Sequence, residues 1–105
     1  MNYTGLLPIG SVVTLKGAED KDIMIVGYCV RKADGTGKVY DYTGCLHPVG
    51  MLSREHALLF DHDQIQRIRG IGYISDASYA LLPQMEEILA QVRKEQDARG
   101  ETRDR

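Results

Sequence analysis

The stretch from Asp22 to Cys45 constrains this chain most. Its first run, Asp22-Ile23-Met24-Ile25-Val26-Gly27-Tyr28-Cys29-Val30, is apolar at odd and even positions alike. A strand of that kind is expected to be buried on both faces. Its second run, Lys38-Val39-Tyr40-Asp41-Tyr42-Thr43-Gly44-Cys45, is rich in β-formers. Between them Ala33-Asp34-Gly35-Thr36-Gly37 supplies the Asp-Gly pair that a tight turn with positive φ prefers. The expectation is a β-hairpin whose first arm is the centre of a small sheet.

Flanking segments extend that sheet. Leu6-Leu7-Pro8-Ile9-Gly10 leads in from a flexible start, and Ser11-Val12-Val13-Thr14-Leu15-Lys16 has the length and β-branching of a short strand. Gly17 to Lys21 reads as a charged turn, giving a three-stranded meander. After the Pro- and Gly-punctuated loop Leu46 to Leu52, Ala57-Leu58-Leu59-Phe60 fits a fourth strand. Asp61 and Gln64 have the spacing of a capping box, with Ile65 and Ile68 following at helical spacing, so a short helix is expected there. Arg69 to Ile74 reads as a last strand.

Ser75-Asp76-Ala77-Ser78 offers caps for a C-terminal helix. Leu81, Met85, Ile88 and Val92 fall at i, i+4, i+7 and i+11, with Leu82 and Leu89 alongside, and Pro83 is placed in the first turn. The fold class is therefore α+β: a small curled antiparallel sheet of four to five strands, a short helix and a C-terminal amphipathic helix. Residues 1–93 form one domain, and the mixed-charge tail 94–105 is expected to be disordered.

Composition narrows the function classes. A net charge of -2 and a pI near 5.9 provide no basic field for nucleic acid. No apolar run approaches the roughly 20 residues of a membrane helix, and the N-terminus lacks the pattern of a signal peptide. Two cysteines without a secretion signal point to free thiols in a cytoplasmic protein.

Chemical constellations are sparse. Cys45 and His47, with His56 and His62 beyond, are ligand types for zinc but lack a paired Cys-x-x-Cys frame. Cys29 and Cys45 lie on opposite arms of the hairpin and could face each other. Asp61-His62-Asp63 reads either as an acid/base cluster or, with less, as a helix cap. No metal, cofactor or catalytic residue is assigned. Tyr28, Tyr40, Tyr42 and Tyr73 suit a half-buried sheet face or a protein interface, where Tyr is enriched.

Three pieces carry a resemblance. They are Leu7-Pro8-Ile9-Gly10-Ser11-Val12-Val13-Thr14-Leu15-Lys16-Gly17 with Ile23 to Tyr28, then Tyr40-Asp41-Tyr42-Thr43-Gly44-Cys45-Leu46-His47-Pro48-Val49-Gly50, then Leu59 to Ile65 with Gly72-Tyr73. In that order the chain resembles a small bacterial family encoded beside LXG toxins of the type VIIb secretion system, mainly in Gram-positive bacteria. The resemblance implies a non-enzymatic accessory protein or chaperone that engages a secreted toxin in the cytoplasm before export. It also implies structural roles for Gly10, Gly17, Gly27 and Gly44 at turns or close packings, for Pro8 and Pro48 at chain entries, and for Asp61 at a cap.

The expected partner is thus a secreted bacterial toxin, with no nucleic acid and no membrane insertion. The candidate contact residues are Tyr28, Tyr40 and Tyr42 on the sheet and Leu81, Met85, Ile88 and Val92 on the helix, with a free sheet edge as a further possibility. Rival readings are an immunity protein, a small metal or thiol enzyme, and a nucleic-acid-binding small barrel.

Overall fold

The structure, a computed structural model, describes residues 5–31 and 37–99. Five strands follow one another: β1 (Val12–Leu15), β2 (Ala18–Arg31), β3 (Val39–Leu46), β4 (Leu58–Phe60) and β5 (Ile65–Gly70). Helix α1 (Asp76–Arg99) follows the strands, and single 3-10 turns occupy Arg54–His56 and His62–Gln64. All pairings are antiparallel and the strand order is β4-β3-β2-β1-β5. This is the expected α+β class with five strands. The Asp34-Gly35 turn lies outside the described residues, but the hairpin it was expected to join is present.

The first hairpin is tighter than its sequence suggests. Only Lys16 and Gly17 make the turn, Gly17 at φ +88°, and β2 begins at Ala18 rather than after Lys21. Glycine takes that left-handed conformation without steric cost.

β2 is long because it bends. Ile25 pairs with Gly44 and Gly27 with Thr43, which leaves Val26 as an extra residue on β2. Such a bulge kinks a strand and increases its twist. Cys29, at φ +54°, adds a second irregularity three residues on. The expected two-faced burial is not what results. Ile23 and Ile25 are buried, Met24 is half-buried, and Val26 is turned out to 36% exposure.

β5 corrects the reading of a short helix and a later strand. After one 3-10 turn, closed by the Ile65 amide donating to the His62 carbonyl, the chain enters a strand at Ile65 and leaves it at Gly70. Arg67 pairs with Thr14 and Ile65 with Leu15, so Gln66 is an extra residue on β5. That bulge lets Ile65 and Ile68, three apart, both pack toward the core. Residues Ile71 to Ile74 lie beyond the strand.

The core gathers Leu6, Leu7, Val13, Ile23, Ile25, Val39, Tyr42, Phe60, Ile65 and Leu89. Leu6 to Pro8 therefore belong to the interior, not to a loose lead-in. Helix α1 starts with reciprocal caps: the Ser78 amide donates to Ser75 Oγ at 3.1 Å, and the Ser75 amide donates to Ser78 Oγ at 2.7 Å. The start at Asp76 places Pro83 in the helix interior rather than its first turn. α1 also runs on past the expected boundary at residue 93, to Arg99. Leu82, Met85, Leu89 and Val92 pack on the core, whereas Leu81 and Ile88 face outward. The apolar arc of the helix is wider than the strip the sheet covers.

Candidate functional site

A polar network anchors the ends of the fold to its middle. Tyr42, on β3, is fully buried and stacks on Phe60 with ring centroids 5.3 Å apart. Its hydroxyl accepts from the Leu7 amide at 3.0 Å and lies 2.7 Å from His62 Nδ1. Tyr28, opposite Tyr42 in register, donates its hydroxyl to the Leu7 carbonyl at 2.5 Å. These two tyrosines hold the N-terminal segment, and Tyr42 has no exposed surface to offer a partner. Tyr40 is half-buried, with Lys38 Nζ 5.0 Å above its ring. Tyr42→Phe should lower stability by about 1–3 kcal/mol, because the buried Leu7 amide loses its acceptor. Urea unfolding measures this; a loss below about 0.5 kcal/mol would show that the amide finds another partner.

The acidic cluster around His62 is part of the same network. Asp61 Oδ1 accepts from the Asp41 amide at 3.0 Å, and Asp41 Oδ2 accepts from the His62 amide at 2.8 Å. Arg93, from α1, reaches Asp41 Oδ1 and Asp61 Oδ1, each at 2.9 Å, and also donates to the Val39 carbonyl at 3.2 Å. Gln64 Oε1 accepts from the Asp61 amide at 2.8 Å, which is the reaching-back half of the expected capping box. The carboxylates thus bind backbone and guanidinium. Sequence reasoning missed Arg93; its one signal was a position four residues after Leu89, on the packed side of the helix.

The cysteine and histidine candidates are not brought together. Cys45 is buried and pairs with Met24, far along the hairpin from Cys29, so the two thiols do not face each other. Both are free. His47 is exposed in the turn after β3, and His56 Nδ1 lies 2.7 Å from Ser53 Oγ. Among the described residues no three His, Cys, Asp or Glu side chains are grouped to hold a metal.

A concavity lies at the end of the sheet where β1 turns into β2. It is an apolar cleft of about 430 Å³. Leu15 and Ile23 form its floor with Leu58 of β4, and Leu46, Val49 and Leu52 form its wall. Lys21, Glu55 and His56 are its charged and polar lining. The wall comes from the Pro- and Gly-rich loop, which projects its apolar side chains: Val49 is 58% and Leu52 70% exposed. Loops carried on a rigid scaffold are common places for binding residues. Sequence reasoning took this loop only as a connection.

The helix candidates divide. Met85 and Val92 are partly covered by the core, and Leu81 and Ile88 are 41% and 47% exposed. No helix of the described residues is long and apolar enough to cross a membrane.

No curated protein and no solved structure matches the chain. A family model described as a domain of unknown function, DUF4176, matches residues 6–81, from the buried Leu6 through all five strands into the second turn of α1. The chain belongs to that DUF4176 family.

Proposed function

We propose that this protein is a cytoplasmic accessory protein, or chaperone, that binds an LXG toxin of the type VIIb secretion system before export. The observation that carries the reading is the apolar cleft, whose wall residues Val49 and Leu52 remain largely exposed. A contiguous apolar surface on a small domain marks a place where another apolar surface is received. The segments that resemble toxin-associated proteins, Leu7 to Gly17 and Tyr40 to Gly50, supply Leu15, Leu46 and Val49 to this same cleft. The toxin would bury apolar side chains there, while Lys21 and Glu55 set the polar rim.

Tagged protein recovered from the native cytoplasm should bring down one LXG toxin at stoichiometric yield. Leu52→Asp should reduce that recovery tenfold or more, the scale of a lost interface anchor, with the thermal transition unchanged because Leu52 is 70% exposed. Recovery of no protein partner from cells that make such a toxin would overturn the proposal. Loss of toxin activity in the purified complex would replace chaperoning with immunity.

A further inference from the structure

Where β5 ends, the chain crosses to α1 through a short uncharged segment, Gly70 to Ser75. Its three large side chains, Ile71, Tyr73 and Ile74, are all exposed, Tyr73 at 84%. Tyr79, in the first turn of α1, shares a surface groove with Ile74 and is 74% exposed. Ile9 lies beside Gly72, whose backbone packs against the Ile9 carbonyl, and is half-exposed as well. Five large apolar side chains are thus gathered along one short stretch of surface.

Aromatic side chains bury about 150–250 Å² each, so Tyr73 and Tyr79 together offer on the order of 300 Å². The three half-exposed isoleucines bring the apolar surface to on the order of 500 Å². That is at the upper end of what a small monomer leaves open. A two-fold dimer of standard size buries about 800 Å² on each copy, about 65% of it apolar, which is the same quantity.

We infer that this face joins two copies of the chain about a two-fold axis. In such a contact one segment meets itself, so each residue must suit a different residue of the second copy. Arg69 to Asp76 reads basic, small, apolar, small, then aromatic, apolar, small, acidic. Laid antiparallel on itself about a point between Gly72 and Tyr73, the segment sets Arg69 against the second copy's Asp76 and Ile71 against its Ile74. Tyr73 then covers Gly72, and Gly70 faces Ser75. Opposite charges meet at both ends, apolar meets apolar within, and the large ring meets the residue that has no side chain. Gly72 is held in place for this by its amide, which donates to Ser11 Oγ at 2.9 Å. Arg69 pairs with Asp22 at 3.3 Å yet keeps 49% of its side chain exposed, so it can serve a second carboxylate. An unrelated partner does not require this mirrored order. The contact begins where β5 ends and adds no strand to the sheet. It is separate from the apolar cleft and independent of any toxin.

Sedimentation velocity of the full chain over a concentration series tests this. A monomer–dimer equilibrium is expected, and Tyr73→Asp should raise the dimer Kd at least about thirtyfold, the scale of one lost hot spot. Tyr73 is so exposed that the variant should keep the wild-type thermal transition. Arg69→Glu and Asp76→Arg should each weaken the dimer, because like charges then meet at both ends. Mixed together, the two single variants should pair more tightly than either alone, since opposite charges meet again. A wild-type chain that stays monomeric at millimolar concentration would overturn the inference, as would a dimer that Tyr73→Asp leaves intact. A mixture that pairs no better than its components would overturn the antiparallel register.

Discussion

Phe60→Ala should lower the unfolding free energy by about 3–5 kcal/mol, the usual cost of emptying a buried aromatic site. Phe60 is fully buried although it sits on a three-residue edge strand. Its ring stacks on Tyr42, so the substitution removes one wall of the pocket that orients the Tyr42 hydroxyl toward Leu7 and His62. The β4 pairing with β3 spans only Leu58 to Phe60, so little else holds that strand. A domain of this size has roughly 5–15 kcal/mol to lose, and the Tm should fall by at least about 12 °C. Thermal unfolding followed by circular dichroism gives the answer. A loss under about 1 kcal/mol would mean that β4 is not part of the cooperative core.

The second large effect is expected at Gly72, with Gly70 as its control. A Cβ at Gly72 would run into the Ile9 carbonyl oxygen, and would lie 2.8 Å from the Ser11 nitrogen and 2.9 Å from the Gly10 carbonyl carbon. All three are backbone atoms in the segment that leads into β1, so no side chain can swing away to make room. Gly72→Ala should therefore cost at least about 1–3 kcal/mol, the range for overpacking, and should break the Gly72–Ser11 hydrogen bond. A Cβ at Gly70 meets nothing within 4 Å, and Gly70 has no positive φ. Gly70→Ala should be neutral or slightly stabilising, since it removes freedom from the unfolded chain. Equal urea midpoints for the two variants would show that the β5 exit is not pinned where the structure places it.

The parts legible in the sequence were those set by local chemistry. The two β-rich runs around residues 22–45 make the β2–β3 hairpin, and Ser75 and Ser78 cap α1 as their spacing suggests. Gly10 and Gly17 take positive φ, and a Cβ on Gly44 would come within 2.7 Å of the Met24 carbonyl. The parts that were not legible depend on distant partners. Ile65 and Ile68 imitate a helix because one extra strand residue, Gln66, turns a spacing of two into three. On α1 the apolar arc is broad enough to allow two faces, and the sheet selects Leu82 and Leu89 over Leu81 and Ile88. Tyr42 reads as a half-buried or interface tyrosine, and it is fully buried because Leu7 and His62, brought in from elsewhere in the chain, satisfy its hydroxyl. The apolar cleft was hidden for a related reason: Leu46, Leu52 and Leu58 are near one another in the chain, but Leu15 and Ile23 come to them only through the folded sheet.

The two outermost strands bear on how copies of this protein behave toward one another. An open sheet leaves a row of backbone donors and acceptors on each rim, which is a template for fibrous stacking unless it is blunted. Here one rim is β4, three residues long, and the other is β5, which is bulged at Gln66 and carries exposed Arg67 and Arg69. Shortness, a kink and positive charge each discourage copy-to-copy pairing. The exposed Val49 and Leu52 therefore sit on a sheet whose two rims do not invite a second copy to add strands.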